Sequence, residues 1–490
     1  MDGSRKFIIV STGVSILLII LVSVTLAYAG RDNTLMADKS LNLTINGFLV
    51  ELPLSENGAT YDAVSLSSVS ENKFLLNNEV GATVSIDDKK VGAGDTINLQ
   101  LSSLSAENLI TIKVENEKEQ RIIYLRTLSS QLPAVTAAGE SVYSSNYCAT
   151  LANGATGLYE LNESGQIVYY IASSEASPEN ATYSDFKKQI LEDGKIRYSY
   201  QKTSKETGLS ERIVLDENHQ YLKTIVLTES EEARDSEALT SDCFILINDN
   251  HWIVATKQLQ LVHNIPDGLN ASAQGTKIQR VLIQEVKDDQ ILWEFTSDTY
   301  PELYGLAGSI YGNDTASGID YTGLNQMILD PEDGNLILSF AQMGTLLKLD
   351  RETGEILWKL SGSGDEFALS AEQKFNQIAS IQADNAGNLI ITDQGQSGSR
   401  IVVVSLDEQN KTVKAYNSID LSKSVAGKVV GATKVGDTLA IFGLTAEQDN
   451  GGSITEFDYD SNKILLQMKL PTGYAFADVS KIESNQSATE

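Results

Sequence analysis

Asp333-Gly334-Asn335-Leu336-Ile337-Leu338, then Thr345-Leu346-Leu347-Lys348-Leu349-Asp350, then Glu355-Ile356-Leu357-Trp358-Lys359-Leu360 is the stretch that decides the fold. Three short apolar runs alternate with polar turns rich in Gly, Asn and Asp, the pattern of consecutive antiparallel strands. A second copy follows as Ala386-Gly387-Asn388-Leu389-Ile390-Ile391, then residues 400–406, then 412–416. Trp293, within Gln290-Ile291-Leu292-Trp293-Glu294-Phe295, stands where Trp358 stands, and so does Tyr169 in the run 166–171. Related units begin near Ala149, Ile190, Phe244 and Thr438. Six units then fill residues 143–478, at about 56 residues each, a period that points to a repeat architecture. Insertions such as 298–320 stretch the spacing. The expected fold class is all-β: a six-bladed β-propeller, in which stacked sheets bury both faces and ring closure protects their edges. A sandwich array and a β-helix are the competing readings; a β-helix would need shorter, stricter rungs. Propellers bind ligands where inner strands and inter-blade loops converge on a channel mouth. Tyr300, Pro301 and Tyr304 of the insertion are expected to overhang one mouth.

Upstream, the pattern has period two. Ile97, Leu99 and Leu101 alternate with polar partners, and residues 109–114 and 121–125 flank the polar turn 115–120 as a hairpin. Residues 41–127 therefore read as a small β-sandwich of the Ig or cadherin-like kind. A linker with Pro133 and Gly139 covers 128–142, a polar stalk 30–40, and a tail 479–490. Residues 7–29 carry no charge, and about 20 apolar residues suffice to cross a bilayer as a helix. Arg5 and Lys6 precede the run, which favours a cytoplasmic tip at 1–6 and an exported remainder. The expectation is a single-pass signal anchor in the cell membrane. The alternative is secretion after cleavage near Ala29, because Ala27-Tyr28-Ala29 fits a small-x-small site.

The chain has 490 residues, with 37 Lys+Arg against 66 Asp+Glu, a formal charge of −29. Such a chain is a poor nucleic-acid binder, because phosphate backbones recruit Lys and Arg. It is equally unsuited to docking on anionic lipid through a polybasic patch. Cys148 and Cys243 are the two cysteines, too few for a zinc scaffold or a disulfide framework; they read as buried free thiols, with a disulfide between them in an oxidising compartment as the alternative. The three histidines are His219, His251 and His263. His251 and His219 lie in polar turns and read as surface residues; His263 reads as structural. No metal site is expected: Asp330-Pro331-Glu332-Asp333-Gly334 is a turn rather than a calcium loop. Gly362-Ser363-Gly364-Asp365 lacks the Lys-Ser/Thr and helix of a phosphate cradle.

Several segments resemble the bacterial arylsulfotransferase family. Ile123-Tyr124-Leu125-Arg126-Thr127-Leu128 followed by Leu132-Pro133 is similar to that family's sandwich-to-propeller junction. Asn264-Ile265-Pro266-Asp267-Gly268-Leu269-Asn270 and Ile283-Gln284-Glu285-Val286 resemble its third blade, and Tyr300-Pro301-Glu302-Leu303-Tyr304-Gly305 an inter-blade loop. The longest match runs over 327–367, and the resemblance covers roughly 120–470. It implies a six-bladed propeller that moves a sulfuryl group between phenols without a nucleotide cofactor. In the family a channel histidine is transiently sulfated, helped by further histidines and an arginine. A neutral imidazole is a competent nucleophile near neutral pH, and cations are needed where charge shifts between oxygens.

Carried over position by position, that machinery is missing. The family's Asp-x-x-His-x-Asn reads Asp320-Tyr321-Thr322-Gly323-Leu324-Asn325, with Gly323 in place of histidine. Ala341 follows Ser339-Phe340 where the family has its arginine. Ile378 follows Gln377 where the nucleophilic histidine belongs. Asp242, in Ser241-Asp242-Cys243-Phe244, replaces a further histidine. The resemblance therefore implies a catalytically inactive member, a pseudoenzyme acting as a ligand-binding or surface module. Its candidate ligand residues are Asp242, Tyr304, Tyr321, Asn325 and Gln377, which suit a small neutral or phenolic ligand, or a cationic one. The alternative is an active aryl-sulfate sulfotransferase working through other residues. A purely structural domain is a third reading.

Overall fold

Leu336–Phe340 and Thr345–Leu349 are buried at every position, as expected of central strands in a sheet covered on both faces. Each fully buried Leu or Ile there contributes about 1.5–3 kcal/mol relative to exposure. The computed structural model describes residues 6–12, 16–22, 39–45, 48–55, 57–63, 71–100, 109–127, 133, 135–142, 145–153, 157–165, 167–172, 181–217, 219, 221–234, 237–308, 310–312, 316–395, 398–421, 429–435, 439–444, 451–458, 460–461 and 463–481. Residues 30–38 of the expected stalk and 482–490 of the expected tail lie outside them. The described structure is all-β apart from short helical turns.

Two units are described separately: 1–134 with 159–171 and 215–221, and 135–158 with 172–214 and 222–490. In the first, Leu109–Glu115 and Gln120–Thr127 form an antiparallel hairpin, with Leu109 opposite Arg126 and Glu115 opposite Gln120. Ser40–Ile45 alternates half-buried and buried residues, and Leu41, Leu43, Ile45, Phe74, Ile112 and Ile123 share one core. The strands of this unit form one continuous sheet rather than the two of a sandwich. The joint is Lys6–Thr12, which pairs with Phe48–Pro53 on one side and Ala59–Ala63 on the other. Without it the sheet divides into a five-strand group and a four-strand group.

The apolar run expected as one helix is described as two strands, Lys6–Thr12 and Ile16–Val22, paired antiparallel. Ile and Val at 8–10, 16, 19, 20 and 22 favour extended backbone as readily as helix, and pairing satisfies their backbone groups outside lipid. Among the described residues, no helix is long and apolar enough to cross a membrane.

The second unit is a propeller-like series of antiparallel sheets. In four of them, four consecutive strands lie side by side in chain order, from Ala181–Ile190 to Tyr221–Ile225, Leu239–Asn248 to Gln290–Thr296, Leu324–Leu329 to Ile356–Leu360, and Ile378–Ala383 to Thr412–Asp420. A fifth sheet runs from Val429–Val435 out to Lys463–Lys469 and takes Thr136–Gly139 as its far edge. A sixth contains Tyr147–Asn153 paired with the last strand, Ala475–Ser480. An early strand thus completes a late sheet, and the last strand completes an early one.

Six edge strands matter below and are named β1 (Ala181–Ile190), β2 (Leu239–Asn248), β3 (Leu324–Leu329), β4 (Ile378–Ala383), β5 (Val429–Val435) and β6 (Ala475–Ser480). Three start earlier than the sequence pattern suggested: at 181 rather than near Ile190, at 239 rather than near Phe244, and at 429 rather than near Thr438. Two of them carry polar residues near their start, Ser184-Asp185 and Thr240-Ser241-Asp242, so the apolar periodicity missed them.

The insertion between β3 and the preceding strand holds a short helix, Pro301–Leu306, opened by Pro301 at a position with no hydrogen-bonding demand on its nitrogen. It folds inward. Tyr304 and Tyr321 are fully buried, with ring centroids 4.9 Å apart, and Tyr311 packs edge-on against Tyr304 at 5.8 Å.

Candidate functional site

Every one of the six edge strands changes register at the same level. The shifts fall between Ser184 and Lys187 in β1, Leu239 and Phe244 in β2, Leu324 and Gln326 in β3, Ile378 and Ser380 in β4, and Val429 and Gly431 in β5. In the β6 pair they fall opposite Thr150, Leu151 and Asn153. A bulge leaves an extra residue outside the ladder and re-aims its side chain. Here the bulged stretches surround a cavity of about 460 Å³, to which all six strands contribute.

One wall is acidic. It carries Asp185 and Lys187 from β1, Asp242 from β2 and Asp478 from β6. Asp185 and Asp242 both have left-handed backbones, at φ 49° and 59°, a conformation Asp tolerates better than most residues. The Asp242 N–H donates to Asp185 Oδ2 at 3.1 Å, and the Asp185 N–H donates to Asp478 Oδ2 at 3.3 Å. Arg212, fully buried behind the wall, donates to Asp185 Oδ2, to the Asp185 carbonyl at 3.0 Å and to Ser199 Oγ at 2.9 Å. Lys187 Nζ is 3.2 Å from Asp185 Oδ2. Burial pushes the Asp185 carboxyl up, but Arg212 and Lys187 outweigh it and hold the group down at about 2. Asp478 is pushed up to about 7 by burial and the Asp185 charge. Asp242 is raised by burial, then by Asp185 and Asp478. The wall therefore keeps one firmly ionised carboxylate and two that hold protons readily.

The opposite wall is neutral. Asn325 donates through Nδ2 to the Ile378 carbonyl at 2.9 Å and the Ala379 carbonyl at 3.2 Å, tying β3 to β4. Gln326 Oε1 accepts the Ile381 N–H at 2.6 Å. Ser380 Oγ accepts the Ala432 N–H at 3.3 Å, and Gln394 Nε2 donates to the Val429 carbonyl at 2.9 Å, tying the β4 sheet to β5. Gln377 and Gln382 also line the cavity. Buried Asp393 accepts the Asn376 and Gln377 N–H groups at 2.9 and 3.0 Å and fixes that turn.

Of the residues singled out from the sequence, Asp242, Asn325, Ala341, Gln377 and Ile378 line this one cavity. Gly323 lies beside it, its carbonyl accepting the Ala341 N–H at 3.2 Å. Tyr304 and Tyr321 do not line it. Tyr304 donates to Asn264 Oδ1 at 3.1 Å and Tyr321 to Ser297 Oγ at 2.7 Å, both inside the insertion's aromatic core. Tyr304 therefore does not overhang a mouth; an apolar ring buries itself where a helix lets it.

None of the histidines lines the cavity. His251 and His219, expected on the surface, are buried against carboxylates. His251 Nε2 is 2.5 Å from Glu285 Oε1, and Glu285 also takes Arg351 at 2.6 and 2.8 Å and the Trp293 indole at 2.8 Å. His219 Nε2 is 3.0 Å from Glu160 Oε2, and its ring stacks on Tyr169 at 3.9 Å. His263 is exposed. Cys148 and Cys243 are buried free thiols, and burial raises the Cys243 thiol. Asp330, Asp333 and Glu408 converge as metal ligands do, but the Lys348 ammonium sits 2.7–2.8 Å from all three and supplies the cation.

Sequence reasoning missed Asp185, Lys187, Gln326, Ser380, Gln394 and Asp478. One signal was present: Ser184-Asp185-Phe186 repeats the Ser-Asp of Ser241-Asp242-Cys243-Phe244, each just before a phenylalanine.

No family model matches the chain, and no curated protein matches it. Among solved structures it is similar to a protein of unknown function from Bacteroides caccae, at 11% identity and a TM-score of 0.42, over 70% of this chain and 100% of that one. It is also similar to a quinonprotein alcohol dehydrogenase-like protein from Bacteroides thetaiotaomicron, at 10% identity and 0.38, over 86% and 96%. A protein from Lactobacillus plantarum matches at 11% identity and 0.35, over 91% and 100%.

Proposed function

We propose that this chain is an exported, membrane-tethered six-bladed β-propeller of arylsulfotransferase ancestry that binds a small ligand in its channel and does not transfer sulfuryl groups. One observation carries the reading. A single cavity collects an edge strand from each of six sheets, and its lining includes Asp242, Ala341 and Ile378, where the resemblance puts two histidines and the arginine. Lys187 is the one cation among the lining residues, and it is paired with Asp185. Sulfuryl transfer needs a nucleophile and positive charge at the shifting oxygens; this lining offers neither to an anionic ester.

The test is the purified full chain with 4-nitrophenyl sulfate and a phenol acceptor. No turnover is expected. Turnover that is abolished by changing Asn325 or Gln377 would instead establish the active sulfotransferase.

The charge-free run 7–29 behind Arg5 and Lys6 supports the tether, with 31–490 outside the cytoplasm. Moving that run into a bilayer would release the joint at Lys6–Thr12 and leave the five-strand and four-strand groups as an Ig-like sandwich. Protease added to intact cells should degrade the propeller; complete protection would overturn the topology.

A further inference from the structure

The cavity's charges are unevenly committed. Asp185 is met by Arg212 and Lys187. Asp242 and Asp478 line the same space, and among the described residues no Lys or Arg lies within ion-pair distance of either. No charged residue lines the cavity from β3, β4 or β5. Gln377 and Gln382 carry side-chain amides without a hydrogen-bond partner among the described residues, so they are available to a ligand. Val479, half-buried, adds apolar surface beside Asp478. A volume of about 460 Å³ is within the usual range for small-molecule sites. An anion would find no free cation here, whereas a positive group would find two carboxylates short of countercharge.

We propose that the cavity binds a small organic cation, its ammonium group against Asp242 and Asp478 and its polar remainder along Gln377 and Gln382. This rests on reading the cavity as a ligand site. Binding displaces the proton that the two acids retain when empty, because a cation at contact distance favours the ionised carboxylates. Affinity therefore rises as pH increases through about 7, where Asp478 gives up its proton. The charged groups facing Asp478 are Asp185 and Lys187 from β1 and Asp242 from β2, with Arg212 behind Asp185.

The probes are choline, whose charge does not titrate, its neutral carbon isostere 3,3-dimethylbutan-1-ol, and 4-nitrophenyl sulfate, each titrated calorimetrically into the full chain. Choline should bind about tenfold or more tighter than the isostere, with proton release visible as a buffer-dependent heat. Asp242→Asn and Asp478→Asn should each weaken it by about tenfold and suppress the proton release. Ala341→Trp, at a half-buried lining position and checked for folding by circular dichroism, should block the cavity. If choline fails to bind, or binds no better than its isostere, the cation assignment is wrong. If the isostere or the sulfate binds and Ala341→Trp abolishes that binding, the cavity remains a ligand site of other chemistry. Binding that survives Ala341→Trp lies elsewhere and removes both readings.

Discussion

The backbone N–H of Asp242 donates to Asp185 Oδ2 at 3.1 Å, so two neighbouring edge strands share one carboxylate at their bulges. The same oxygen takes Arg212, which is 1% exposed. Arg212 therefore sets the charge of a wall it does not touch from the cavity side. Removing one partner of a buried pair costs about 3–5 kcal/mol, because the other charge stays buried. Arg212→Met should lower the urea midpoint accordingly, and adding Asp185→Asn should recover part of the loss. A loss below about 1 kcal/mol would mean that water or Lys187 replaces the guanidinium.

Asp478 makes stability depend on pH in the opposite sense from Asp185. Its carboxyl is raised to about 7 when folded, so it contributes fully below the unfolded carboxylate range, near about 4, and that contribution is lost as pH rises through 7. Asp185 is held at about 2, so its contribution is present above the unfolded range and lost as pH falls toward 2. Between pH 5 and 8, Asp478→Asn should flatten the decline in stability by about 1–3 kcal/mol. Melting curves of both proteins across that range decide it. Parallel declines would show that Asp478 ionises normally.

A third prediction of stability concerns the residue that follows β6. Lys481 and Glu456 are both fully buried, 2.8 Å apart, with Tyr147 and Ser141 on the same cluster. They fasten the segment after β6 to the fifth sheet and to the strand Tyr147–Asn153. Lys481→Met leaves Glu456 buried without its cation and should cost about 3–5 kcal/mol. The double change with Glu456→Gln should be milder. Equal losses from both would place the effect in packing rather than charge.

The repeat was legible because central strands such as Leu336–Phe340 must be apolar on both faces, and that requirement writes itself into the sequence. The edge strands were harder to read. Asp185 and Asp242 line the cavity, and the serines before them meet each other at 3.4 Å; such polarity inside a strand looks like a turn. Asn325, Gln377 and Asp242 were found through the family resemblance rather than through periodicity. Tyr321 and Tyr304 were misplaced because the insertion's inward fold depends on contacts between residues far apart in sequence, such as Tyr304 with Asn264. The burial of His251 could not be read from its turn, since its partners Glu285 and Arg351 come from other strands and turns.

The last prediction separates a missing side chain from a changed backbone. Restoring the family residues looks simple: Gly323→His, Ala341→Arg, Ile378→His. Ala341 lines the cavity half-buried and its backbone is not left-handed, so a new side chain there has space to enter; Ile378 is 1% exposed and packs in the core with Phe375 and Ile381, so a histidine there replaces a core residue. Gly323 is different. Its φ is +61°, and a Cβ built on it would lie 2.5 Å from Gln342 Cγ and 2.8 Å from the Gln342 backbone nitrogen. The Gln342 N–H is itself held by the Thr322 carbonyl at 3.2 Å, and the Ala341 N–H by the Gly323 carbonyl, so the clash falls on a turn with little freedom to retreat. A left-handed backbone at a non-glycine residue costs about 1–2 kcal/mol before any clash. Gly323→His should therefore destabilise the chain, and the triple variant should gain no sulfuryl transfer, because its third group cannot take its place. Thermal melts of Gly323→Ala isolate the backbone term: a loss matching Gly323→His assigns the effect to the main chain. A triple variant that folds at wild-type stability and turns over an aryl sulfate would show instead that only side chains had been lost.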